Sequence, residues 1–597
     1  MRDTIYCSGS LLDAVQKAKL FVDCKHFVDM PLKFDAETVI TNWNIVWAAS
    51  SQDGAISREV LQAFVDEHFD QPGNELEECF PEDWNQDHSF ETITDPSYRK
   101  WAAELHKLWP SLSRKVRDEV HASPERFSLL PLPKPFIVPG GRFRELYYWD
   151  SFFSIQGLIK SGMMSTVRGM IENMCHLIQK YGHIYNGNRV YYKNRSQPPL
   201  LTWCVKSYLD ATNDLEFLRE CMPSLEAEMA YFMKNKRIQQ EGWKSYLFRF
   251  YVVADGPRPE SYREDIETAE HLIENDQKLR LWGDICAAAE SGRDFSCRWF
   301  STEGDHAGKI SSMRTSEIAP VELNAVIARN LRLFSEFYGL LGDMQQAERY
   351  RLEYEIMREA IHQVFWNEDK GIWLDFDLIK NKHIDAFHDT HLFPLFAEIA
   401  HDGFNAKRVV EYLELSGALS QPGGLPTSMT LSTSQQWDAP NGWSPTNWIA
   451  IKGLIAYGES AVAKEIAYKW INRNFAIYRS SGGKMFEKYN VMSDCLRALG
   501  GSGEYECQEG FGWTNAVILD LLHTFGSELV FQESVESKCE CCRRPVTEEV
   551  YVPPVAPMPL NIPEIVVEQI AANICTEVPV PQPVVQDAGV VLLVPAV

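Results

Sequence analysis

Six stretches of this chain, 165–181, 325–341, 345–365, 446–457, 460–475 and 514–525, carry apolar residues at spacings of three and four. That spacing gathers apolar side chains on one face of an α-helix, so the chain has to fold by packing helices together. In the last stretch Val517, Leu521 and Leu522 form such a face. Strand signals are few. The clearest is Trp366-Asn-Glu-Asp-Lys-Gly-Ile-Trp373, where turn residues between aromatics predict a hairpin. No fixed-period repeat is visible over the 597 residues, which counts against stacked-repeat arrays. The pattern predicts one large all-α domain. Periodicity alone does not separate a ring of helix pairs from a globular bundle.

Composition changes once along the chain. Beyond about Ser534 aromatics nearly vanish and eight prolines fall between Pro553 and Pro583. A segment like that has too few aromatics for a core and too many prolines for helices, so 1–534 reads as the folded domain and 535–597 as a disordered Pro/Val-rich tail. The net charge of −25 argues against nucleic acid as a partner, because phosphate binders need clustered Lys and Arg. No run of 18 apolar residues occurs, so no transmembrane helix is expected. The opening Met1-Arg-Asp-Thr-Ile-Tyr-Cys7 has no apolar core of a signal peptide, and the apolar end Val590–Val597 is short and broken by Pro595. Fourteen cysteines show no pairing pattern, and Cys539-Glu-Cys541-Cys542 reads as thiols in the tail. Location stays open, and no oligomeric state follows from the sequence.

Several chemistries have no motif to carry them. Gly-x-Gly-x-x-Gly is missing, Gly482-Gly-Lys484 is followed by Met485, and Gly-x-Ser-x-Gly does not occur, which removes the common nucleotide sites and the α/β-hydrolase elbow. His383, His388 and His391 lie near Asp385 and Asp389, but at no zinc spacing. They read as a solvated polar loop, and neither metal nor cofactor is expected.

What remains is a set of short loops mixing aromatics, glycine, arginine and carboxylates: 139–150, 182–199, 256–261, 290–299, 435–445 and 486–505. That mixture suits a sugar, whose C–H faces pack on Trp and Tyr and whose hydroxyls pair with Arg, Asp, Glu and Asn. Without a metal, glycosidic cleavage falls to two carboxylates, one a protonated acid and one a base or nucleophile. The plainer reading is that the aromatics build core and carboxylates such as Asp150 or Asp438 cap helices. Six such loops in one chain favour a ligand over that reading.

Pro139-Gly-Gly-Arg-Phe-Arg-Glu-Leu-Tyr-Tyr-Trp-Asp150 and Gln436-Trp-Asp-Ala-Pro-Asn-Gly-Trp-Ser-Pro445 resemble the two signature motifs of the trehalases, glycoside hydrolases of α,α-trehalose. The resemblance runs from about Ile5 to Leu529, and the opening Ile5-Tyr-Cys-Ser-Gly-Ser-Leu-Leu12 is similar to the animal branch. It implies an (α/α)6 barrel and an inverting mechanism that turns trehalose into two glucose molecules. By motif match it makes Asp294 the general acid and Glu487 the base, with Arg142, Trp149, Asp150, Asn186, Arg195, Ser196, Gln197, Arg258, Glu260, Gly292, Trp437 and Glu504 on the sugar and Phe143 an apolar wall. The sequon at Asn194 then reads as accidental, since a glycan there blocks the pocket.

The chain departs from the family pattern at several points. Arg293 stands before the proposed acid where Trp is usual, and a cation there lowers the acid's pKa unless it points away. Tyr185, Cys297 and Asn447 replace the usual Pro, Ser and Gln, and the glycine-rich loop carries Leu496-Arg-Ala-Leu499 and Ser502. Two further readings therefore stand beside the active enzyme: a weakened trehalose binder, and a related barrel glycosidase with another disaccharide.

Overall fold

The computed structural model describes residues 1–51, 56–495, 497–501 and 503–531; the expected tail at 535–597 lies outside them. Six helices form an inner ring: α1 (Tyr148–Lys160), α2 (Leu201–Thr212), α3 (Val321–Leu341), α4 (Phe393–Phe396), α5 (Ser444–Ala456) and α6 (Gly512–Phe525). Each packs on the next, and α6 packs on α1. Around them lie outer helices: Met164–Tyr181 on α1 and α2, Leu215–Asn235 on α2 and α3, Met344–Phe365 on α3, Ser460–Ser480 on α5 and α6, and Pro96–His106 on α6. This is the expected all-α (α/α)6 architecture, and the six predicted helical stretches all fall within it.

Composition sorts helices between the two layers. The outer helix Met344–Phe365 buries Ala347, Tyr350, Tyr354, Met357, Ile361 and Phe365, a stripe at spacings of three and four with charges opposite. In α6 every residue from Gly512 to Leu522 is buried. The single apolar face expected from Val517, Leu521 and Leu522 is therefore corrected: both faces of α6 are covered because it stands in the inner ring. Its one acid in that run, Asp520, is matched by Lys452 and by the Trp448 indole N–H, each at 2.7 Å. Ring closure also depends on a missing side chain, since a Cβ at Gly157 of α1 would lie 2.4 Å from the Ala516 Cα of α6.

Strands are short and serve the loops. The predicted hairpin forms as β1 (Trp366–Asn367) and β2 (Ile372–Trp373), with Trp366 opposite Trp373. β3 (Asn441–Trp443) and β4 (Lys488–Asn490) pair antiparallel, which sets the 435–441 loop against Glu487. Among the described residues no helix is long and apolar enough to cross a membrane.

Candidate active site

Loops at one end of the ring enclose a pocket of about 700 Å³, its mouth included. Asp294, Glu487, Arg142, Trp149, Asp150, Asn186, Arg195, Gln197, Arg258, Glu260, Gly292, Trp437 and Glu504 all line it, as does Phe143. Of the residues singled out in the sequence, Ser196 is the one outside the wall. Its N–H donates 2.9 Å to Glu290, a buried carboxylate paired with Lys236, and this turns it toward the interior. The wall also contains Lys25, Tyr147, Tyr192, Ser261, Trp443, Tyr505, Phe511 and Trp513. Tyr147 and Trp443 stand inside the two quoted motifs and Tyr505 ends the 486–505 loop, so all three could have been named from the sequence; Lys25 carries no local signal.

Asp294 follows the long helix Asn275–Glu290 on a loop pinned to the 435–441 segment. The Gln436 side chain donates to the Asp294 carbonyl (2.6 Å), Trp437 N–H to Phe295 (3.0 Å), and Ser296 Oγ and Cys297 N–H to the buried Asp438 (2.9 and 2.8 Å). Asp438 is thus a loop anchor rather than a helix cap, and Cys297 keeps the bond its position requires. Gly292 turns the loop at φ +75°, and a Cβ there would meet the Trp149 indole at 2.7 Å, so only glycine lets the acid loop pass this close to the wall.

Burial and then the neighbouring Glu504 charge push Asp294 up to about 7, against the opposing pull of Arg258 and Arg195. Arg293 is not among the leading influences on Asp294. Its guanidinium donates 2.6 Å to the buried Asp389 and lies 5.0 Å from the Trp437 ring centre, so it points away from the acid. The expectation of a solvated loop around the histidines holds for the exposed Asp385 and half-buried His383 and is corrected for the rest: His388, Asp389 and His391 are buried, because that segment leads into α4 inside the ring and supplies the partner of Arg293. Among the described residues no group of three or more metal-binding side chains assembles.

Glu487 precedes β4 and is buried, which raises its pKa; Lys488, the Tyr505 hydroxyl, the Gln508 N–H and Arg142 act against that rise. Tyr505 donates to one carboxylate oxygen (2.7 Å) and Gln508 N–H to the other (3.1 Å). Asp150, in the first turn of α1, is held well above the usual carboxylate range by burial, and both Glu487 and Asp294 add to that rise.

The remaining wall is built for hydroxyl groups. Arg195 pairs with Glu260 at 2.5 Å and reaches Asn186 at 3.3 Å, yet Arg195 Nη1 and Glu260 Oε2 are buried without a partner among the described residues. Buried polar atoms left unpaired are costly, and both belong to side chains that line the pocket. Arg258 is clamped by Asp265 (2.6 Å) and Glu504 (3.1 Å). Trp437 stacks on Trp443 with ring centres 3.9 Å apart and planes at 3°, a rigid apolar face for sugar C–H groups. Asn447 is spent on structure, bonding Leu425 N–H and two carbonyls. Leu496 and Ser502 of the glycine-rich loop lie outside the described residues.

A family model described as Trehalase matches residues 19–526. The trehalase of Homo sapiens is 44% identical over 531 residues, covering 88% of this chain and 90% of that protein, and the trehalase of Oryctolagus cuniculus is 44% identical with the same coverage. Among solved structures, the neutral trehalase Nth1 of Saccharomyces cerevisiae shares the fold, with a TM-score of 0.53 and 23% identity over 66% of this chain and 75% of that one.

Proposed function

The chain belongs to the trehalase family, and we infer from that membership and from the pocket that it is a glycoside hydrolase converting α,α-trehalose and water into two glucose molecules. The observation that carries the catalytic assignment is that two carboxylates open on one pocket in different surroundings. Asp294, pushed up to about 7, is the acid that protonates the interglycosidic oxygen. Glu487, whose two oxygens each accept a hydrogen bond, is the base that takes a proton from the attacking water, and those bonds favour its ionised form against the effect of burial. Water then adds to the anomeric carbon from the face opposite the leaving sugar, and the configuration inverts, which requires the two carboxyl groups to stand about 6.5–9.5 Å apart.

Arg142, Arg195, Glu260, Gln197, Asn186 and Asp150 hold hydroxyls, and Trp149, Trp437 and Phe143 cover the sugar faces. Arg293 and the altered glycine-rich loop are the two reasons for a weakened binder; the engagement of Arg293 with Asp389 speaks against the first, and the second falls partly on residues outside those described. Glucose release from α,α-trehalose by the wild type, beside Asp294→Asn and Glu487→Gln, tests the reading. Loss of at least about a hundredfold in each folded variant is expected. NMR during the first turnovers reads the stereochemistry. Inversion yields α- and β-glucose in equal amounts, and α-glucose alone would refute it.

A further inference from the structure

The pocket wall includes a contribution from far outside the six loops. Residues 18–22 lie along the protein with their carbonyl groups held by two arginines: Arg58 takes those of Ala18 and Lys19, and Arg263 those of Phe21 and Val22. This strap leads into the short helix Cys24–Val28, whose N-cap Asp23 accepts the Lys25 N–H at 2.9 Å. Two residues on, Lys25 lines the pocket and pairs with Asp29 and Glu145.

Asp23 does a second thing. Its two oxygens take the Arg142 guanidinium in a fork, Nε and Nη2 at 2.8 Å each. The same guanidinium lies 4.6 Å from the centre of the Tyr505 ring, and Tyr505 donates to Glu487. The Arg142 backbone joins by another route, its N–H donating 2.8 Å to Gln508, whose own N–H bonds the second oxygen of Glu487. Bidentate pairing fixes a guanidinium's plane as well as its position, and a flexible arginine without it stacks on a ring only part of the time.

We propose that Asp23 is a positioning residue for the reaction, acting through Arg142 and Tyr505 on Glu487. It does not touch the sugar. It keeps the cation where it both meets substrate and faces the base. The charged and titratable groups around Glu487 are Lys488 beside it on the chain, Arg142 from the 140s loop, Tyr505 and Cys507 from the glycine-rich loop, and Asp150 from α1. Of these cations, Arg142 is the one held by Asp23.

The proposal rests on Glu487 as base, and Glu487→Gln in the same assay tests that premise separately. Asp23→Asn is the discriminating variant, because asparagine caps a helix as well as aspartate but cannot form the charged fork. Asp23→Ser, another good cap, is the second variant should asparagine disturb folding. Measured are kcat, KM, thermal unfolding, and the pH profile of kcat/KM. The expected result is a loss of kcat/KM of about tenfold or more, with the acidic limb moved to higher pH because a mobile Arg142 favours the ionised base less. Asp23→Glu recovers part of both. Arg58→Ala, which loosens the strap without touching Arg142, lowers the unfolding temperature and leaves the limb in place. Rates within about threefold of wild type, or a loss with the acidic limb unmoved, would overturn the proposal and leave Asp23 as a helix cap only.

Discussion

Asp294 hangs on a loop among other carboxylates, whereas Glu487 stands beside a strand among donors. Around the first, burial and then the Glu504 charge raise the pKa while Arg258 and Arg195 oppose them; around the second, burial alone raises it and Lys488, Tyr505, Gln508 and Arg142 all resist. Both are largely buried and line the same pocket, so depth alone cannot assign their roles. The neighbours do, and each neighbour is a point at which the contrast can be broken.

Removing either carboxylate is the harshest break, with the loss of at least about a hundredfold given above. Tyr505→Phe is next. It deletes the hydrogen bond to Glu487, so the base's pKa rises and the acidic limb of the rate profile moves up, with kcat falling about tenfold or more. An unmoved acidic limb would mean that Tyr505 is wall and nothing else.

Glu504→Gln strikes the other side with a smaller effect. Without that charge Asp294 ionises at lower pH, so the basic limb, expected near 7 from the acid itself, moves down and the rate at neutral pH drops a few-fold, by roughly the fraction of acid lost. A basic limb that rises instead contradicts the assignment of Asp294. The mildest change to the rate is Arg293→Met. Activity at 25 °C is expected to stay within about threefold and both limbs to hold, while stability falls by about 3–5 kcal/mol because Asp389 is left buried and unpaired. Denaturant unfolding measures the second part. A shifted basic limb in this variant would show that Arg293 does bear on the acid.

Much of the site was readable because contiguous loops deliver it. Arg142, Trp149 and Asp150 come within nine residues, Asn186 to Gln197 within a dozen, and Gly292 with Asp294 in one turn. The helices were readable too, since outer-layer amphipathicity is a local pattern. Three things were not. That α6 is covered on both sides depends on its place in the ring, which its own spacing does not encode. The direction of Arg293 is decided by Asp389, 96 residues later, and the burial of His388 and His391 by the helices around them. Asp23 and Lys25 reach the pocket only because the N-terminal strap is laid against loops more than a hundred residues away, and no motif announces such a neighbour.

The junction of α1 with α6 has a consequence in time. Gly157 and Ala516 meet across about 360 residues of chain, and a ribosome adding roughly 5–20 residues per second delivers the second some 20–70 s after the first. During that interval the α1 surface that α6 covers in the finished ring has no partner yet. Glu487 and Tyr505 arrive late in the same interval, after Asp294. Asp294, the proposed acid, is therefore delivered before the midpoint of that interval, and Glu487, the proposed base, near its close.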